Sequence, residues 1–256
     1  MRSAKNKKGF TLVELLVVIS IIAMLLAVLM PALSKARDLG KRTVCMTRQR
    51  SIGLSMIAYA QAYNGKLLTR YPDKLKPDYW KNSTPYSWPE KGCIDIMKPY
   101  IGITDVFDCP MSKYKAYYID PIKYPSDTHA GDWNVNMLWL PGLAEYGRYS
   151  RYIFDDSAAP SNLNKAKGRQ IILVDRNNFH IGDTWGGWSN HSGGHIQVRT
   201  LTEYLKMLKS SNRIYADGHS ENVKPDKMGK NSQKPDDKVT GSRYSHNDMS
   251  SRPYYW

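Results

Sequence analysis

Several groups of residues in this 256-residue chain have the types and spacing to do chemistry. Near the N-terminus, Gly9-Phe10 follows a basic leader (Arg2, Lys5, Lys7, Lys8), and Glu14 stands four residues further on inside an apolar run. A charge in a membrane-spanning helix costs at least ~2.5 kcal/mol at the bilayer centre, so Glu14 asks for a partner even near the end of the span. Three cysteines, Cys45, Cys93 and Cys109, allow one disulfide and one spare thiol in an oxidising compartment, or three buried thiols. Cys93–Cys109 would close a short local loop, whereas Cys45–Cys109 would staple a distant helix to the rest. His191, His195, Asp217 and His219 fall in one strand-turn region, and imidazole with carboxylate suits zinc or another transition metal. Gly193-Gly194 argues against a helix that would align His191 with His195, and Asp217-Gly218 reads equally well as a turn. Trp185-Gly186-Gly187-Trp188 could stack a sugar ring or cover the core. There is no Gly-x-Ser-x-Gly, no His-Glu-x-x-His and no phosphate loop, so no enzyme is expected.

The elements that must position these groups start with one long helix. From Phe10 to Leu33 the only polar side chains are Thr11, Glu14 and Ser20, and about 20 apolar residues suffice to cross a bilayer core. A secretory signal would carry a shorter apolar region of about 7–15 residues with a small-residue cleavage site after it. Pro31 should kink the helix without ending it, because helical spacing resumes beyond it. Ile52, Met56, Tyr59, Ala60 and Tyr63 fall on one helical face, and Asn64-Gly65 supplies a left-handed stop. A helix from Phe10 to Tyr63 would be roughly 80 Å long, with Gly40 and Gly53 as bending points.

Beyond it, residues 65–170 read as loops and short elements punctuated by proline, with a helical turn at 94–101 ending at Pro99. Gln170 to Asp175 is the clearest strand. Leu201, Tyr204, Leu205 and Leu208 make a short amphipathic helix, and Arg213 to Val223 reads as a hairpin turning at Asp217-Gly218. Residues 224–256 are polar and suit a mobile tail. The net charge is +14, and the leader's cations beside an apolar span place that end in the cytoplasm and the rest on the far side. Eighteen Tyr and seven Trp against four Phe suit a small head with a wet surface, and equally sugar stacking.

Lys7-Lys8-Gly9-Phe10-Thr11-Leu12-Val13-Glu14-Leu15-Leu16 resembles the processing and methylation signature of type IV pilins and type II secretion pseudopilins. The resemblance implies cleavage between Gly9 and Phe10 by a prepilin peptidase and methylation of the new Phe10 amine. It also implies that Glu14 pairs with the N-terminal amine of a neighbouring subunit, which would neutralise two groups that are each costly alone in lipid. Cys45 to Leu54, Tyr63 to Leu67 and Phe107-Asp108-Cys109-Pro110 are similar to a planctomycete-type group of G-type-like pseudopilins. Many of that group carry a His, nine residues and then Asp-Gly. Here 25 residues separate His191 from Asp217. The two cysteines that match the group favour Cys45–Cys109. Some G-type pseudopilins hold calcium in a C-terminal loop, but Asp226, Asp236 and Asp237 show no recognisable ligand spacing.

The chain therefore reads as an α+β, pilin-like protein: a long N-terminal helix packed on a small antiparallel sheet with loop-rich insertions. Residues 1–9 are a cleaved cytoplasmic leader, 10–33 a transmembrane and filament-core helix, 34–64 its amphipathic half, 65–223 an extracytoplasmic head and 224–256 the tail. The expected function is a subunit of a type II secretion pseudopilus or type IV pilus-like filament, assembled from the inner membrane with the head in the periplasm or at the cell surface. Expected partners are the prepilin peptidase, copies of itself and other pilin-like subunits, membrane lipids, and secreted proteins or polysaccharide; nucleic acid is not expected. No cofactor is expected other than a structural metal at the histidine cluster. The alternatives are an anchored protein whose head binds carbohydrate through Trp185 and Trp188, and an anchored metal hydrolase using His191, His195 and Asp217.

Overall fold

The computed structural model describes residues 11–68, 91–102, 104–124, 133–141, 161–166, 170–179, 187–197, 203 and 206–225. Gly9, Phe10, Trp185, the three tail aspartates and most of the expected 201–208 helix lie outside them, as do the side chains of His195 and Trp133. The chain divides into two compact units, Met1–Lys41 and Arg42–Trp256.

One helix, α1 (Leu12–Ala62), carries the apolar run from Leu12 and its amphipathic continuation, and runs through Pro31. The proline lacks an amide proton and leaves one carbonyl of the preceding turn without its usual donor, which the surrounding run of good helix formers tolerates. Asn64 (φ 54°) and Gly65 (φ 79°) turn left-handed after it, and the Gly65 N–H closes on the Ala60 carbonyl at 2.7 Å. The local stop signal and the helix end coincide. Every described residue from 11 to 37 is exposed. Burial starts at Cys45 and recurs at Gln49, Ile52, Gly53, Met56 and Ala60, which is the spacing of one helical face.

That face belongs to the core of the second unit. A four-stranded antiparallel sheet has the order β3 (Met137–Trp139), β4 (Ile171–Asp175), β8 (Ser211–Tyr215), β9 (Ser220–Val223). All five β4 residues are buried, as an uninterrupted apolar run implies for a central strand. The β8–β9 hairpin turns at Asp217-Gly218 with Gly218 at φ 86°, and Ile214 pairs with Ser220. Ile52 and Met56 pack with Ile94, Met97, Phe107, Trp139 and Ile214 in one cluster, and the Trp139 indole N–H donates to the Leu68 carbonyl at 2.8 Å. The α+β, pilin-like layout is thus present: one long helix followed by a small antiparallel sheet.

Two smaller sheets accompany this one, the first before β3 in sequence and the second inserted between β4 and β8. β1 (Tyr117–Tyr118) pairs with β2 (Trp133–Asn134), and β5 (Asn177–Phe179), β6 (Gly187–Ser189) and β7 (Gly194–Ile196) form a meander. One expectation needs correction. α2 (Lys91–Ile101) does not end at Pro99 but holds it in its last turn. A proline there forfeits a single hydrogen bond, while Cys93, Ile94 and Met97 are anchored in the core; Gly102 (φ 78°) ends the helix instead. Gly53 has a packing reason that the sequence did not announce: a Cβ on it would stand 2.3 Å from Ile214 Cγ2, so the glycine lets α1 approach β8.

Candidate functional site

At the start of α1, Thr11 and Glu14 form a reciprocal cap. The Thr11 N–H and hydroxyl donate to Glu14 Oε2 at 2.8 and 2.7 Å, and the Glu14 N–H donates back to Thr11 Oγ1 at 3.3 Å. This is a capping box, which satisfies backbone donors that have no partner in the first turn. The Thr-x-x-Glu spacing before an apolar run carries that signal in the sequence, and the reading of Glu14 as a pairing residue alone passed over it. Further along, the Ser20 hydroxyl donates to the Leu16 carbonyl at 2.7 Å, so the helix satisfies that polar group internally. Leu12, Met24 and Val28 expose more than 70% of their surface. An apolar helix with one carboxylate at its start and no cover of its own is a surface made for lipid or for other copies of a helix.

A second constellation is buried in the head, centred on Asp175 at the end of β4. Its carboxylate is fully buried. Oδ1 accepts from the Gln49 side-chain amide of α1 and from Asn190 Nδ2 at 3.4 Å; Oδ2 accepts from the Asn212 N–H of β8 at 2.7 Å and lies 3.1 Å from His191 Nε2. His191 sits in the 3₁₀ turn Asn190–Ser192 between β6 and β7, with its Nδ1 2.8 Å from the Ser210 hydroxyl. Cys45 of α1 and Cys109, just after the 3₁₀ turn Thr104–Phe107, complete the cluster. Their Sγ atoms are 3.2 Å apart, and one donor atom each from Cys45, Cys109 and His191 lies within 4.8 Å of the others. Arg48 adds a neighbouring tie from α1, donating to the Asp108 carbonyl at 3.1 Å.

The electrostatics follow from these contacts. The contact with Cys45 and the nearby His191 hold the Cys109 thiol down to about 6, against the opposing effect of burial. The same sulfur–sulfur contact, with burial and the Asp175 charge, pushes the Cys45 thiol well up. Burial works against a charged His191, but the Asp175 carboxylate and Cys109 outweigh it and raise the imidazole above its ordinary value. The arrangement can share a proton among thiol, imidazole and carboxylate.

Of the residues expected to form a metal cluster, the described side chains of His191, Asp217 and His219 do not all come together, and the side chain of His195 lies outside the described residues. Asp217 and His219 sit at the exposed hairpin turn, where the Asp217 carboxylate accepts from the His219 N–H at 3.0 Å and contacts its ring Nδ1. Asp217 is in place for the turn, and His219 stacks on Tyr215 at 4.0 Å. His191 instead turns inward to Asp175. The sequence signal for Asp175 was a lone carboxylate closing an all-apolar strand, which must be satisfied if the strand is central. Trp188 is half-buried; its indole N–H donates to Asn190 Oδ1 at 2.9 Å, the Arg176 guanidinium lies 4.4 Å from its ring centroid, and Tyr114 packs at 5.0 Å. These contacts suit an aromatic that covers the cluster.

One long N-terminal helix followed by a small antiparallel sheet is a pilin-like layout. Residues 4–30 match the family described as the prokaryotic N-terminal methylation motif. The chain is also similar to the type IV wide pilus major component PilA4 of Thermus thermophilus, with 60% identity over 40 residues. That stretch is 16% of this chain and 30% of the relative, so the chain matches less than a third of that protein's length. No solved structure matches. Residues 4–30 thus carry the prokaryotic N-terminal methylation motif, and the N-terminal stretch of the chain is similar to that of a type IV pilin.

Proposed function

We propose that this chain is a pilin-like subunit, cut by a prepilin peptidase between Gly9 and Phe10, methylated at Phe10 and assembled from the inner membrane into a type IV pilus-like filament or type II secretion pseudopilus. The observation that carries this reading is the first stretch of α1: an apolar surface on residues 12–33, exposed all round, with Glu14 as its single charge and the methylation motif overlapping it. In a membrane that surface faces lipid, and in a filament it faces other copies of itself, so one helix serves both states without refolding. Glu14 would meet the Phe10 amine of a neighbour and set the axial register, each charge removing the other's desolvation cost. The head, Arg42 onward, would be displayed on the far side of the membrane from the basic leader.

Mass spectrometry of the mature N-terminus tests this directly. The expected species begins with N-methyl-Phe10. A mature chain that still begins at Met1, in a cell with an active prepilin peptidase, would overturn it in favour of a plain membrane anchor.

A further inference from the structure

We propose that Cys45 and Cys109 are this chain's disulfide-forming pair, and that their bond ties α1 to the loop after the Thr104–Phe107 turn while Cys93 stays a thiol. Three cysteines allow three pairings, and the fold selects one. The Cys45 and Cys109 sulfurs touch at 3.2 Å, both nearly fully buried, while Cys93 lies within the apolar cluster on α2 beside Ile94 and Met97. His191 lies within 4.8 Å of both thiols and is itself held by Asp175 and Ser210.

A zinc ion is the competing use of the same side chains. Two thiolates on one tetrahedral zinc, at Zn–S of about 2.3 Å, stand roughly 3.8 Å apart and the sulfurs of a disulfide about 2.05 Å, so the separation of 3.2 Å lies between the two and the donors decide. The carboxylate that would supply a fourth ligand already accepts from Gln49, Asn190 and Asn212. A disulfide needs no further donor.

The oxidant is a disulfide carrier, a dithiol oxidase or glutathione disulfide. The Cys109 thiolate attacks one carrier sulfur and the other leaves as thiolate, giving a mixed disulfide. Cys45 then loses its proton and attacks the Cys109 sulfur, releasing the second carrier thiol. Two electrons and two protons pass to the carrier, whose S–S bond breaks as the Cys45–Cys109 bond forms. Because both sulfurs end up buried, this exchange belongs to folding, before the loop closes on α1. That it happens in the cell rests on the extracytoplasmic placement of the head proposed above.

The test takes the full chain from membranes of the producing cell, alkylates it without reduction and digests it with trypsin, then cleaves before aspartate. Trypsin yields peptides 43–48 and 92–113, and the second cleavage separates Cys93 (92–94) from Cys109 (108–113). The expected result is 43–48 joined to 108–113, with Cys93 alkylated. A parallel sample is unfolded, reduced and refolded with glutathione disulfide. Cys45 and Cys109 both alkylated after that refolding, Cys93 found in the bond, or one zinc per chain by native mass spectrometry would each overturn the inference. A bond that forms on refolding but is missing from the cellular protein supports the pairing and counts against the extracytoplasmic placement.

Discussion

The structure gives Glu14 one role and the proposed function gives it a second, and substitution can separate them. Within its own chain it caps the first turn of α1 through Thr11, and in a filament its charge would meet a neighbour's amine. Glutamine also closes a capping box but carries no charge. Glu14→Gln is therefore expected to keep the helix start and lose filament assembly, whereas Thr11→Ala weakens the cap by about 1 kcal/mol and still assembles. Counting filaments by electron microscopy beside helicity by circular dichroism reads both effects. Normal filaments from Glu14→Gln would remove the charge from the mechanism. Asp175 is the other residue whose removal should be costly. Asp175→Ala leaves Gln49, Asn190, His191 and the Asn212 N–H without their acceptor in a dry site, and a loss of roughly 3–5 kcal/mol is expected in urea unfolding of the folded head. Asp175→Asn keeps the shape and one acceptor, and should lose less.

At the scale of elements, the decisive contact is α1 against β8. Gly53 brings the two within reach, and a methyl group there would overlap Ile214. Gly53→Ala should destabilise the head by about 1–3 kcal/mol through overpacking, even though alanine is the better helix former. Combining it with Ile214→Ala removes the overlapping atom, so the double mutant should fall short of the sum of the single losses. Gly40→Ala meets nothing within 4 Å and should be neutral or stabilising by about 0.5–1 kcal/mol. Urea midpoints of the four variants check the set, and strict additivity would deny the contact. The contrast shows what a sequence can and cannot carry. The end of α1, the β4 strand and the Asp217-Gly218 hairpin were legible because their signals are local: a left-handed Asn-Gly, an unbroken apolar run, a two-residue turn. The packing reason for Gly53 was not legible because Ile214 lies on β8, 161 positions away. His191 misled, since nothing near it in sequence announces Asp175, and only the tertiary packing of α1, two 3₁₀ turns and β4 brings Cys45, Cys109, His191 and Asp175 together.

At the scale of the whole molecule, the two units differ in what they bury. Met1–Lys41 presents side chains to its surroundings, and none of its described residues is buried. Arg42–Trp256 holds all the buried positions of α1, from Cys45 to Ala60, and buries them against its own strands. Cys45 and Cys109 are 64 positions apart, so a disulfide between them would close a long loop within that unit. Loop entropy of that length corresponds to about 4 kcal/mol, and a reductant should lower the unfolding midpoint accordingly. The division leads to a sharper expectation. A chain begun at Arg42 discards the apolar surface but none of the core, so it should be water-soluble, monomeric and folded. Its unfolding free energy should lie within about 0.5 kcal/mol of the full chain in detergent, with the same sensitivity to reductant. A chain begun at Asn64 instead loses Ile52, Met56 and Ala60 from the cluster, each a fully buried side chain, and Gln49 and Cys45 from the polar site. At about 1.5–3 kcal/mol for each of the two large side chains, before the orphaned polar groups are counted, that loss is comparable to the 5–15 kcal/mol that holds a domain together. It should not fold. Equal stability of the two truncations would mean that the helix only tethers the head; the expected difference makes its second half part of the head and leaves its first half free to bind membrane or filament.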